Sequence, residues 1–244
     1  MGDSSVALKE FEERLWGIVD ERVGSLLPVY TSMFDGSMPR PALVHWMGQL
    51  YLFIRPFKRF LAGILANCDE LEAETLLIEN LWEESGEGRL GHDHPSVMRR
   101  MPVALGIPEA EVDRLPPDPE TAEILGYFHR LSREEWWVEA LAAVGVGLEA
   151  SPLALQESGG EAAASMLATL LQDRYGLTEH DVEFFRMHVF EDVEHTRRTM
   201  EIIKRYASSP EVAERIESRV RDAAARLVSW MEALKEESYR RVPA

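Results

Sequence analysis

Phe184-Phe185-Arg186-Met187-His188-Val189-Phe190-Glu191-Asp192-Val193-Glu194-His195 is the stretch on which the reading of this chain turns. His188, Asp192 and His195 stand at i, i+4 and i+7. On an α-helix each residue advances roughly 100°, so the three fall within about 60° of one another. Phe184 and Phe185 precede them on the same stripe, and Ile202 and Ile203 follow on it. Glu183, Arg186, Arg197, Glu201 and Lys204 occupy the opposite side. The polar triplet is therefore expected to face the core. Buried ionisable groups need partners to offset lost hydration, and a bound cation is one such partner.

Helical periodicity runs outward from this segment over almost the whole chain, and strand signals are nearly absent. It predicts a first helix over 6–33, bent or broken at Pro28, and a second that passes Pro56 and ends near Asn67. A third covers 69–84, and His94-Pro95 opens a short fourth, since proline suits a first helical turn. The proline-rich stretch 107–119 reads as a surface connector. Further helices are predicted over 120–150, with a break near Ser132, over 161–175, and over 178–206 with Thr178 as N-cap. The last, 209–240, is charged and expected outermost. The expectation is an all-α fold of about seven helices forming a single domain over 1–244.

Composition narrows the function. The chain has 244 residues, 45% of them hydrophobic, with 43 acidic against 26 basic residues and a formal net charge of −17. That balance argues against nucleic acid and anionic membranes as partners, because phosphate binding depends on clustered lysine and arginine. The longest apolar run, near Leu141–Leu148, is too short to span a bilayer, and residues 1–5 lack the features of a secretory signal. With Cys68 the single cysteine, intrachain disulfides and thiolate zinc sites are excluded. A cytoplasmic location is expected.

Acidic residues that interrupt apolar stripes extend the ligand search. Glu149 closes a helix that is apolar on every side, in line with Val138, Ala142, Gly145 and Val146. Glu84 shares a phase with Ala73, Leu77 and Leu81, whereas Glu83 shares one with Glu72 and Glu79 and is expected to be wet. Glu84 also lies in a last helical turn, where the macrodipole disfavours an anion unless a cation is near. The glycine-punctuated loop after it returns His92 and His94 to the same end, and His94 at the next helix start is the better placed. The resulting inventory is Glu84, His94, Glu149, His188, Asp192 and His195. Mixed carboxylate and imidazole ligation suits iron or manganese over zinc and calcium. Six ligands are too many for one open metal and suit two, with a bridging carboxylate.

At these residues the chain resembles the haem-oxygenase-like diiron oxidases and oxygenases, over roughly Leu43 to Ile203. The resemblance rests on Asn80-Leu81-Trp82-Glu83-Glu84-Ser85-Gly86-Glu87-Gly88, His94-Pro95, Gly147-Leu148-Glu149, Tyr175-Gly176-Leu177 and His188-x-x-x-Asp192-x-x-His195. It implies a haem-oxygenase-like bundle, two Fe(II) per chain with manganese as the alternative metal, and O₂ as co-substrate. It further implies oxidation of a small molecule: N-oxygenation of an amine, C–C cleavage of an amino acid, or decarboxylation of a fatty acid. Glu84 would bridge the metals and share the catalytic role with Asp192. An external electron donor and a homodimer are compatible with the superfamily. An extra carboxylate that some members carry on an earlier helix has no counterpart in 51–60, which offers Lys58 and Arg59.

Three other readings compete. A metal-free oxidase like pyrroloquinoline-quinone synthase would bind an organic ring in a histidine-lined pocket, and the buried-phase Glu84 and Asp192 argue against it. A ferritin-like centre needs two Glu-x-x-His pairs, and Asp192-x-x-His195 is the nearest match. A non-enzymatic helical binding module would use the same residues as a buried hydrogen-bond network.

Overall fold

A computed structural model describes residues 2–150, 163–187 and 191–242, with side chains omitted at 2–6, 34, 163–164 and 191–194. Every regular element among the described residues is helical. The helices are α1 (Gly2–Phe34), α2 (Arg40–Ile54), α3 (Phe57–Asn67), α4 (Leu71–Glu84), α5 (His94–Leu105), α6 (Glu109–Val112), α7 (Pro119–Glu134), α8 (Trp137–Gly145), α9 (Ala163–Tyr175), α10 (Glu179–Met187), α11 (Glu191–Tyr206) and α12 (Pro210–Arg240). A 3-10 turn, Gly86–Gly88, follows α4.

There are more segments than the expected seven because several predicted helices are divided. The Arg55-Pro56 step separates α2 from α3, where Pro56 takes φ −89° and ψ 0° and cannot donate a backbone hydrogen bond. The break between α7 and α8 falls at Glu135, extended at φ −95° and ψ 164°, three residues beyond the expected Ser132. A four-residue helix, α6, forms inside the proline-rich connector. By contrast α1 runs through Pro28 without interruption.

The C-terminal helix corrects a second expectation. α12 packs against α1, α2, α7 and α8 rather than lying outermost. Ala213, Ile216, Val220, Ala223, Leu227, Trp230, Met231 and Leu234 are buried along it, a core-facing stripe at helical spacing beneath a charged outer face. α8 is buried along its whole length. Its one acid, Glu139, is held by Arg215 and Arg219 of α12, as a buried carboxylate requires. α11 crosses α8 closely where Gly145 meets Thr199, a side chain whose Oγ1 would lie 2.7 Å from an added Cβ. α11 also packs on α4, and α5 packs on α10. The ends of α4, α5, α8 and α11 thus meet.

Candidate metal centre

α4 is wound so that Ala73, Leu76, Leu77 and Asn80 are buried, and Glu84 continues that stripe one turn on. Its end is fixed by a sharp reversal at Gly86, φ +74°, where an added Cβ would come within 2.6 Å of the backbone at His92 and Asp93. Only glycine suits that conformation and that approach. The loop delivers His94 to the first turn of α5. Asp93 caps the helix, accepting from the Ser96 amide at 3.2 Å and the Ser96 hydroxyl at 2.6 Å, so its carboxylate fixes the helix start. His94 is 3% exposed, and its ring meets Phe184 edge-on at 6.2 Å.

Glu149 follows α8 after one further turn. The peptide before it is tethered by Arg22, a buried α1 residue that donates to the Gly147 carbonyl. Burial pulls the Arg22 guanidinium down to about 10, so it stays charged near neutral pH. His195 arrives from α11, whose neighbouring Thr196 donates to the Gly145 carbonyl at 3.2 Å.

These segments enclose a cavity of about 250 Å³, counting its opening to solvent, lined by Leu61, Asn80, Glu83, Glu84, His94, Glu149 and His195. Four of the six sequence-predicted ligands therefore meet: Glu84, His94, Glu149 and His195. Asp192 lies on α11 one turn before His195, with its side chain outside the described residues, and His188 lies outside them altogether. His92 is exposed and apart from the cavity.

Glu83 corrects the helix-phase reading. Its Oε2 stands 2.7 Å from His195 Nε2, and it lines the cavity while 32% of its side chain stays exposed. The side of α4 expected to be wet is a seam with α11, where Glu72 meets Arg205, Glu79 meets Arg198 and Glu83 meets His195. The sequence held a signal for this. Glu72, Glu79 and Glu83 advance by seven and four residues while Arg205, Arg198 and His195 retreat by seven and three, the spacing of two antiparallel helices in contact.

The second close pair is His94 Nδ1 with Glu84 Oε1, at 3.0 Å. Burial holds the His195 ring below its ordinary imidazole value, against the upward pull of Glu83. A neutral ring is the form that binds metal. Among the described residues no group of three or more His, Cys, Asp or Glu side chains forms a ready coordination sphere. The donor set nevertheless suits a hard-to-borderline divalent cation, with three carboxylic side chains and two imidazoles around one space. Acceptors outnumber donors there, and Asn80 Oδ1 is buried with no hydrogen-bond partner among the described residues. A cation relieves that imbalance.

Residues 44–230 match the family described as iron-containing redox enzymes. The chain belongs to that family. Its relatives include a 4-aminobenzoate synthase of Nitrosomonas europaea, 23% identical over 242 residues that cover 95% of this chain and 93% of the relative. A 4-aminobenzoate synthase of Chlamydia muridarum is 26% identical over 196 residues, covering 80% and 78%. A domain of unknown function with a heme oxygenase-like fold from Shewanella denitrificans superposes with a TM-score of 0.73 at 15% identity, over 96% of this chain and 93% of that one. The fold is thus haem-oxygenase-like, as the resemblance implied. No helix among the described residues is long and apolar enough to cross a membrane.

Proposed function

We propose that this chain is a non-haem diiron oxygenase or oxidase that uses O₂ to oxidise a small metabolite. The observation that carries the proposal is convergence. Residues from three separate stretches of sequence, Glu83, Glu84 and His94, then Glu149, then His195, line one cavity in a chain of the iron-containing redox enzyme family. In this reading Glu84 would hold metal through its carboxylate, and His94, His195 and His188 would hold it through ring nitrogens. Glu149 and Asp192 supply balancing charge, and Glu83 joins them as a seventh candidate.

The chemistry that iron held by these residues would supply is reduction of O₂. The protein's part is to hold and shelter. The Asp93 cap fixes His94, and the Arg22 tether fixes the approach to Glu149. Leu61 lines the cavity and Phe184 packs on the His94 ring. Low dielectric around the carboxylates strengthens their hold on a cation.

Of the three substrate classes, the name of the relatives supports amine or amino-acid chemistry, since 4-aminobenzoate is itself an aromatic amine and a carboxylate. Electrons beyond those the substrate yields come from an external donor, and the reading places the enzyme in the cytoplasm, with a homodimer allowed. The test is to incubate Fe(II)-loaded protein with O₂, a reductant and a panel of aromatic amines and amino acids. The expected result is iron-dependent O₂ consumption with an oxidised product by mass spectrometry. Equal consumption by metal-free protein would favour the quinone-synthase-like, cofactor-free oxidase instead.

A further inference from the structure

Asn80 is an unfavourable choice on three physical counts. It sits inside α4, where asparagine is a weak helix former. It is 4% exposed, so its amide has lost its hydration. Finally, Oδ1 has no hydrogen-bond partner among the described residues, although buried polar atoms nearly always find one. A leucine at this position would continue the Ala73, Leu76, Leu77 stripe.

The surroundings show why no donor among the described residues reaches it. Asn80 lines the cavity with Glu83 and Glu84, which lie three and four residues on, along the same side of the helix. The carboxylates of those two face the nitrogens of His195 and His94. A neutral imidazole has a single N–H, and each ring is already directed at a glutamate. Every other polar lining group, Glu149 included, is an acceptor when ionised. The amide oxygen is thus one more acceptor in a space that already has too many, and what it lacks is a donor brought in from outside.

We infer that Asn80 is a positioning residue of the cation site, its Oδ1 accepting a hydrogen bond from water carried by the bound metal. The inference rests on the metal reading above and adds a neutral oxygen to it. An amide suits that task because it accepts without adding a further negative charge to the cavity. Its place on the buried stripe one turn before Glu84 holds both oxygens to one rigid helical frame.

The test titrates metal-free wild type, Asn80→Leu and Asn80→Asp with Mn(II), a probe inert toward O₂, and records each protein's melting temperature without metal. Asn80→Leu is expected to lose about tenfold in Mn(II) affinity, as loss of an outer hydrogen-bond partner does elsewhere. Its metal-free melting temperature should hold or rise, because an unpartnered polar atom has been removed. Asn80→Asp should bind Mn(II) at least as tightly as wild type, while its metal-free form melts lower. Wild-type affinity in Asn80→Leu would overturn the inference. So would a lower metal-free melting temperature in Asn80→Leu with affinity lost equally in both variants, the pattern of a structural residue. Failure of wild type itself to bind Mn(II) or Fe(II) would overturn the metal reading and this inference together.

Discussion

Two buried histidine–acid clusters lie among the described residues, and only one of them has the makings of a metal centre. His45 of α2 stands 2.9 Å from Ser238 Oγ and 3.0 Å from Asp118 Oδ2, and the other oxygen of Asp118 takes Arg241 at 3.2 Å. Both ring nitrogens and both carboxylate oxygens have a close neighbour, and the cluster ties α2 to the start of α7 and the end of α12. The cluster at the end of α4 has, among the described residues, two imidazoles, three carboxylic side chains and an amide oxygen without a donor. Histidine beside acid is therefore no signal in itself. What separates the clusters is the count of donors against acceptors, and the second cluster comes up short of positive charge.

If that difference is functional, substitutions should separate the clusters cleanly. The largest effect is expected for His94→Ala, with a loss of metal affinity of more than about a hundredfold. Its helical circular dichroism should be unchanged. Asp192→Ala should likewise lose bound iron with the fold retained, and iron content like wild type would remove Asp192 from the ligand set. His45→Gln should do the reverse, costing about 1–3 kcal/mol in denaturant unfolding while Fe(II) affinity stays at the wild-type value.

Saturating metal sharpens the contrast, since a ligand at a hundred times its Kd stabilises the fold by about 2.7 kcal/mol. His45→Gln should retain that increment, and Glu84→Ala should lose most of it. Acidity offers a further test of the His45 cluster. Burial holds the His45 ring below its ordinary value, against the pull of Asp118. The unfolded chain then takes up the proton first, so stability falls as pH drops below about 6.5 toward the folded-state value. His45→Gln should fall less steeply over that window in unfolding experiments. Smallest of all, Arg205→Met at the exposed end of the α4–α11 seam should change stability by no more than about 0.5 kcal/mol. It should leave metal affinity alone, because Glu72 and Arg205 are both half-exposed.

How far the sequence reaches is visible in the same residues. Helical periodicity made the all-α fold legible, because core-facing stripes such as Ala73, Leu76 and Leu77 repeat at helical spacing. Glu84, His94, Glu149 and His195 were legible for a related reason, being ionisable residues that continue or close such stripes. The break between α7 and α8 was legible only to within three residues, at Ser132 against the observed Glu135, since no proline or glycine marks it. α12 was misjudged because its charge was weighed above its apolar stripe. Glu83 escaped because the phase of one helix says nothing about the arginines of the helix beside it. Asn80 stood in a stretch that carried the resemblance without a role of its own, and burial together with an oxygen unpartnered among the described residues makes it informative.

The central claim is that this cavity holds iron, and anaerobic titration of the metal-free protein with Fe(II) addresses it most directly. Saturation at about two irons per chain, with a rise in melting temperature that His94→Ala abolishes, is the predicted result. No binding above background by a protein of intact helical content would contradict it.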